Sequence, residues 1–173
     1  MNSIRRSAGF TLLELVIVIA VVAITVSLAA PSLVQTIRNN EVSSQGMELL
    51  GMLNLAKSEA VRRNTEVTLT LVTDSEGWDG FIEDPNNTAE IEGCVTGQLR
   101  CTFNENVALT GVSEVSFNNR GYIRNADDTW AGETFYLQHE QCSGDRQRRR
   151  VDITPTGQIS SCQLACNSTA ACP

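Results

Sequence analysis

The chain has 173 residues, with 13 Lys and Arg against 20 Asp and Glu, so its formal net charge is −7. This acidic balance argues against a protein whose whole surface covers nucleic acid. Hydrophobic residues make up 42% of the chain and charged residues 19%, which is typical of a folded domain rather than a disordered segment. A single histidine gives little basis for histidine-dependent catalysis or for a zinc site with several histidine ligands.

The N-terminal residues predict a membrane-spanning helix. Residues 1–9 carry two arginines and no acidic residue, whereas residues 10–30 carry one charge, Glu14. A helix over residues 10–30 is about 30 Å long, which matches the hydrocarbon core of a bilayer. Since basic flanks stay in the cytoplasm, residues 31–173 are expected to fold on the other side, in an oxidising compartment.

Two simpler interpretations compete for this apolar segment. One is a secretory signal peptide, because Ser27, Leu28 and Ala29 form a small-x-small cleavage site. The other is a plain single-span anchor. Neither accounts for Glu14, because a carboxylate inside hydrocarbon costs about 3 kcal/mol and is rarely tolerated without a partner.

The residues around Glu14 resemble the signal sequence of type IV pilins. The run Gly9-Phe10-Thr11-Leu12-Leu13-Glu14-Leu15 is similar to the site at which that family's prepilin peptidase cuts, directly after the glycine. The resemblance implies that the new N-terminal residue, Phe10, is N-methylated and that Glu14 stays in the mature chain. It also implies a leader over residues 1–9 and a membrane helix, later the filament core, over residues 10–30.

The type IV pilin family also implies a role for the glutamate. Apolar helices packed in a filament exclude water, so a buried carboxylate there is stable only when it is paired. The free amine of Phe10 on a neighbouring subunit is the cation that the resemblance implies for Glu14, and it exists only after cleavage at Gly9. Pro31 falls where many pilins have a proline that loosens the helix.

Residues 31–173 predict one α+β domain in which a long helix lies across an antiparallel sheet. Apolar residues recur at mostly helical spacings up to about Asn64, a residue type that tolerates the left-handed conformation of a helix end. The pattern then changes to the two-residue alternation of strands. The predicted strands are Val67–Leu71, Trp78–Ile82, Val107–Leu109, Val112–Phe117, Thr134–Gln138, Arg148–Thr154 and Gln158–Ser161.

A second resemblance narrows the family to a subgroup. The segment Leu55–Asn64 is similar to the end of the long helix in minor pilins of the FimT and FimU kind. The same domain family holds the H-type pseudopilin of type II secretion. Trp78–Gly80 with Asp84, then Val115–Gly121 and Val151–Gly157, match the later strand-and-turn pattern of that subgroup.

This resemblance implies a structural protein that is a substrate of the prepilin peptidase and not an enzyme. It would sit in the inner membrane with a single span and a periplasmic C-terminal domain. It would then join other minor and major pilins and prime assembly at or near the tip of a type IV pilus, with twitching, attachment or DNA uptake downstream. The alternatives are an H-type pseudopilin in a periplasmic pseudopilus and a DNA-binding competence pilin.

The six cysteines predict up to three structural disulfides in an oxidising compartment. Six cysteines allow fifteen pairings. Closeness in sequence and the hairpin arrangement favour Cys94–Cys101, Cys142–Cys162 and Cys166–Cys172. The sequence contains no CxxC motif, which argues against a thioredoxin-like redox role.

No cofactor and no metal site is expected. The acidic stretch of residues 74–92 offers oxygen ligands, but their spacing is not that of a calcium-binding loop, so a solvated hairpin is the favoured interpretation. The oxygen-bearing side chains concerned are Asp84, Asn86, Asn87, Glu90 and Glu92. The single histidine, His139, is expected to be solvated or hydrogen-bonded.

Arg146, Arg148, Arg149 and Arg150 form the sharpest basic cluster after the N-terminus. In a strand, Arg146, Arg148 and Arg150 would share one face, while Val151 and Ile153 would point to the core. Two functions fit such a strip: contact with DNA phosphates, or pairing with the acidic face of a neighbouring pilin. Some FimT proteins bind DNA through a Gly-Arg-x-Arg element, but here an aspartate follows the glycine. The flanking aspartates repel phosphate, so the partner contact is favoured.

Overall fold

The computed structural model describes residues 10–84, 94–124 and 131–172. These residues form one helix, α1 (Leu12–Arg63), and nine strands. The strands are β1 (Val67–Thr73), β2 (Gly77–Glu83), β3 (Gln98–Glu105), β4 (Val107–Thr110), β5 (Glu114–Phe117), β6 (Ile123–Arg124), β7 (Glu133–His139), β8 (Arg148–Ile153) and β9 (Ile159–Leu164). The helix and the antiparallel strands confirm the predicted α+β class.

Helix α1 is closed at both ends by local hydrogen bonds. The Oγ1 atom of Thr11 accepts the backbone N–H of Glu14 at 3.1 Å, as the N-cap of a capping box does. Asn64, the predicted end, has a φ of 53°. The N–H groups of Asn64 and Thr65 donate to the carbonyls of Val61 and Ala60, which is a Schellman cap.

The contacts divide the chain into two compact units, residues up to Thr36 and residues from Ile37 onward. In the first unit every described residue, 10–36, is exposed although most are apolar. The hydroxyls of Thr25 and Ser27 donate to backbone carbonyls of the preceding turn, so the helix satisfies its own polar groups. Among the described residues, α1 contains a stretch long and apolar enough to cross a membrane.

The second unit, which we call the head, contains two antiparallel sheets. One has the strand order β3-β2-β1-β5-β6 and the other has the order β4-β7-β8-β9. The prediction of a single sheet was therefore wrong. Asn106, with a φ of 65°, separates β3 from β4. Beyond this residue β4 pairs with β7, Val107 opposite His139, and so belongs to the second sheet.

Two strands, β3 and β6, were not predicted from the sequence. All residues of β3 are half-buried or exposed, so the strand lacks the alternation of buried apolar and exposed polar residues that marks a half-buried strand. It lies at the edge of the five-stranded sheet, where only β2 pairs with it among the described strands. Strand β6 has two residues, too few to show any period.

The core of the head joins α1 to both sheets. The second half of α1 contributes Leu49, Met52 and Leu53, all fully buried. The five-stranded sheet contributes Trp78 and Phe117, and the four-stranded sheet contributes Phe135 and Leu137. Burying a side chain of this size stabilises a fold by roughly 1.5–3 kcal/mol. The helix and the sheets therefore depend on one another.

Candidate assembly segment and head surfaces

The assembly segment, residues 10–36, carries the predicted processing and register residues. Phe10 is 84% exposed, and Glu14 is exposed in the first turn of α1. The Glu14 carboxylate makes no ion pair with another residue in the described ranges. Gly9 lies outside those ranges. The geometry thus presents an apolar helix whose one carboxylate is available to a neighbouring chain.

His139 is a hydrogen-bonded structural residue. It is 7% exposed, and its Nε2 lies 3.0 Å from Glu41 Oε2 on α1. Its Nδ1 accepts the backbone N–H of Gln141 at 3.0 Å. Since Nδ1 accepts a hydrogen bond and so carries no proton, Nε2 is the protonated nitrogen that donates to Glu41. This arrangement ties the end of β7 to α1.

Asp84, the one described residue among the five considered for calcium, is paired with arginine. Its two carboxylate oxygens each lie 2.8 Å from a guanidinium nitrogen of Arg63, and Glu59 binds the same guanidinium at Nε. The hydrogen bonds that Arg63 donates to Asp84 and then to Glu59 raise the pKa of Arg63 above its ordinary value. The other residues considered for calcium, Asn86, Asn87, Glu90 and Glu92, lie outside the described residues. The network joins the end of β2 to the last turn of α1.

The turns that resemble the minor-pilin pattern meet beneath Lys57. The Lys57 Nζ donates to the Gly157 carbonyl at 2.7 Å. Gly157 has a φ of 73°, and a Cβ atom there would lie 1.9 Å from the carbonyl oxygen of Gly121. Only glycine allows this approach of the two turns. These residues of the pattern hold the fold together rather than forming a ligand site.

The predicted three-arginine face is not present. Strand β8 begins at Arg148, whereas Arg146 lies in the preceding turn with a φ of 73° and is exposed. Arg148 and Arg150 do share the outer face, with their guanidinium carbons 4.4 and 5.7 Å from the centre of the Tyr136 ring. The turn separates Arg146 from the other two because only a regular strand keeps alternate side chains on one face.

Arg150 binds the C-terminal segment of the head. Its Nη1 donates to the carbonyls of Thr169 and Ala170, both at 3.1 Å, while its Nε bonds both carboxylate oxygens of Asp152 at 2.8 Å. The hydrogen bond that Arg150 donates to Asp152 raises the pKa of Arg150. Burial alone would raise the pKa of the Asp152 carboxyl, but hydrogen bonds from Arg150 and Thr134 bring it below its usual value. Arg150 is thus occupied within the chain.

All six cysteines form disulfides, and one of the three predicted pairs is correct. Cys94–Cys101 is present. The other predicted pairs were wrong, because the structure contains Cys142–Cys166 and Cys162–Cys172. Gln138, Arg148 and Leu164 lie opposite one another across β7, β8 and β9. Cys142, just after β7, is therefore next to Cys166, just after β9. Cys162 lies inside β9 and is bonded to Cys172 in the C-terminal segment.

Arg149 was predicted as part of the exposed strip, but it is buried. It is 8% exposed and points to the inner side of β8, as Val151 and Ile153 do. Its guanidinium donates to the Oγ of Ser43 on α1 at 3.2 Å and to the Oγ of Ser161 on β9 at 3.0 Å. Burial lowers the pKa of this guanidinium. The alternation along β8 already carried this signal, because Arg149 shares the parity of Val151 and Ile153.

Pilin-like filament subunits are a class of protein with a long exposed apolar helix that carries a carboxylate in its first turn, followed in the chain by a helix-on-sheet head. This chain has these features, and the carboxylate is that of Glu14. The family model described as "Type II transport protein GspH" matches residues 45–157, and the prokaryotic N-terminal methylation motif matches residues 4–30. The chain belongs to the GspH family.

Individual relatives agree with this assignment. The chain is 34% identical over 71 residues to the type II secretion system protein H of Pseudomonas aeruginosa strain PAO1, and this match spans 41% of either chain. Two crystal structures of the type IV minor pilin FimU from the same strain have the same fold. One gives a TM-score of 0.52 at 21% identity and covers 69% of this chain and 90% of FimU. The other gives 0.53 at 22% identity, covering 70% and 87%.

Proposed function

We propose that this chain is a minor pilin of a type IV pilus. It is made as an inner-membrane prepilin, cut after Gly9 by the prepilin peptidase, N-methylated at Phe10 and assembled with other pilins. Within the filament it primes assembly at or near the tip. The observation that carries the proposal is the assembly segment, which is apolar and exposed and of which residues 10–30 belong to the methylation motif matched over residues 4–30.

The proposed mechanism follows from the chemistry of this segment. The peptidase removes the basic leader, residues 1–9, and creates an amine at Phe10. As the apolar helix leaves the lipid and packs among other helices, its carboxylate is enclosed in a core that excludes water. Glu14 pairs with the Phe10 amine of an adjacent subunit, which fixes the axial register of the new subunit. The head, outside the membrane, contributes the contacts that select neighbours.

An H-type pseudopilin is the second candidate, favoured by the 34% identical relative named type II secretion system protein H. Deleting the gene separates the two functions. Lost piliation with intact protein secretion supports the pilus, and lost secretion with intact piliation supports the pseudopilus. The genes that flank this one, pilus genes or a secretion cluster, give an independent answer.

DNA binding is not favoured by the contacts of the arginines. Arg148 donates to Gln138 at 2.7 Å, and Arg150 is held by Asp152 and the C-terminal segment. We expect no salt-sensitive gel shift with the purified protein. DNA contacts would give an affinity that falls with salt by a log–log slope of about −0.9 per phosphate on duplex DNA. A shift that Arg148→Gln with Arg150→Gln removes would reinstate the competence function.

Incorporation tests the minor-pilin proposal directly. Glu14→Gln removes the charge from the assembly segment, and Glu114→Gln makes the same change on the exposed surface of the head. Breaking a buried ion pair costs about 3–5 kcal/mol, so Glu14→Gln should lower the amount in sheared filaments by at least about tenfold. Glu114→Gln should match the wild type. Equal incorporation of all three proteins would contradict the proposed role of Glu14.

A further inference from the structure

Arg149 is a buried cation that the described fold leaves without a counter-ion. Its guanidinium bonds the hydroxyls of Ser43 and Ser161, and no carboxylate lies within 4.0 Å of it in residues 10–84, 94–124 and 131–172. Other arginines of the head do have such partners: Arg63 pairs with Asp84, and Arg150 pairs with Asp152. Neutral hydroxyls do not offset the cost of removing a charge from water.

The missing side chain at Gly46 of α1 leaves the space that Arg149 occupies, which we call the seat for Arg149. A Cβ atom at Gly46 would lie 2.3 Å from Cδ of Arg149, so α1 needs a glycine where the arginine crosses it. A glycine inside a helix costs about 1 kcal/mol relative to alanine. Leucine or methionine at position 149 would continue the apolar inner side of β8, as Val151 does, without any charge to desolvate. Stability of the isolated head therefore does not explain the arginine.

The charged end of Arg149 lies at a seam that a second chain can reach. Ser43 and Ser161 are both half-buried, the first on α1 and the second on β9. Strand β9 is an edge of the four-stranded sheet among the described strands. Met47, one helical turn from Ser43, is 58% exposed. The guanidinium thus ends between the helix and the sheet edge, where it donates to the two hydroxyls.

We propose that Arg149 receives a carboxylate from an adjacent subunit of the same filament. The inference rests on the proposed function, since assembly brings heads together. A carboxylate at the seam would form a charge-assisted, bidentate ion pair with the guanidinium and supply the missing counter-ion. Subunits of this kind have acidic side chains to offer, as this chain with 20 acidic against 13 basic residues does. This ion pair then selects the subunit that lies beside the head, whereas Glu14 sets the axial register.

Three variants of the full-length chain test Arg149 as the receptor for a neighbouring subunit's carboxylate. Arg149→Met removes the buried charge and keeps the bulk, Arg149→Lys keeps the charge without the planar fork, and Arg120→Met removes an exposed arginine as the matched control. For Arg149→Met we expect a melting temperature equal to or above that of the wild type, together with an at least tenfold lower amount in sheared filaments. Arg149→Lys should be intermediate in incorporation, and Arg120→Met should match the wild type in both measurements.

A photo-crosslinking residue at Met47 identifies the contact independently of stability. In wild-type and Arg120→Met backgrounds we expect a crosslink to a pilin or pseudopilin peptide that contains Asp or Glu. The crosslink should weaken in Arg149→Lys, which retains a folded head. Unchanged crosslinking or wild-type incorporation in both Arg149 variants would overturn the receptor. Absence of the wild-type chain from filaments would instead refute the proposed function on which the receptor rests.

Discussion

The two halves of α1 are built for different surroundings. Residues 12–36 are apolar on all sides and exposed, whereas residues 37–63 bury one side and expose the other. The buried residues of the second half are Val42, Gly46, Leu49, Met52, Leu53, Ala56 and Ala60. A helix that is apolar all round needs lipid or other apolar helices, while a one-sided helix needs a partner sheet. Stability of the head and assembly of the filament should therefore respond to different substitutions.

The largest expected effect is on the head and comes from its core. Phe135→Ala empties a fully buried position and should lower the free energy of unfolding of the head by about 3–5 kcal/mol. Leu13→Ala, in the exposed half of α1, should change it by less than about 0.5 kcal/mol. Denaturant unfolding of the full chain in detergent, followed by near-ultraviolet circular dichroism, measures both. Similar losses for the two variants would show that the halves are not energetically separate.

The next effect separates covalent from packing stabilisation within the head. Replacing Cys142 and Cys166 together by serine opens a bridge with a sequence separation of 24 and should cost about 3 kcal/mol. The shorter Cys94–Cys101 bridge, with a separation of 7, should cost less when it is replaced in the same way. Peptide mapping of the non-reduced protein checks the pairing itself. Recovery of a Cys142–Cys162 peptide would contradict the register of β7, β8 and β9.

Acid should weaken the head through carboxylates that are paired with arginines, Glu59 and Asp152. The hydrogen bond from Arg62 lowers the pKa of Glu59 below its ordinary value of 4.5, and the pKa of Asp152 is also lowered. A lowered pKa in the folded state gives stability that is present above the unfolded pKa and lost as the pH falls through the folded value. The melting temperature of the head should therefore decrease as the pH is lowered below 4.5.

One substitution in each half of α1 tests this dependence of stability on pH. Glu59→Gln should lower stability at neutral pH and flatten its fall below pH 4.5, because the neutral side chain no longer titrates. Glu14→Gln should leave the profile of the head unchanged. A profile that Glu59→Gln leaves as steep as in the wild type would exclude this carboxylate as a source of the acid sensitivity.

The smallest expected effects distinguish two glycines in the second half of α1. A Cβ atom at Gly51 meets nothing within 4 Å, so Gly51→Ala should stabilise the head by about 0.5–1 kcal/mol through helix propensity. Gly46→Ala should destabilise it, because the new methyl group overlaps the stem of Arg149. Thermal unfolding gives both signs. Stabilisation by both changes would mean that the seat for Arg149 does not require glycine.

Much of the fold follows from local patterns in the sequence. The apolar run, the capping residue Asn64 and seven of the nine described strands were predictable because each depends on neighbours in the chain. Strand β3 was not predictable, since its edge position leaves it without a buried face. Two of the three predicted cysteine pairs were wrong, because these pairs depend on strand register, which closeness in sequence does not encode. The burial of Arg149 was not predicted, because the cluster of four arginines was interpreted as an exposed strip.

The measurement that tests the central claim most directly is the intact mass of the mature chain recovered from the filament or membrane fraction, with its N-terminal peptide. We expect a chain that begins at Phe10, carries one added methyl group on its amine and contains three disulfides. A chain that retains Met1, or that begins beyond Ala29 as a signal peptide would leave it, would contradict the assignment of the assembly segment.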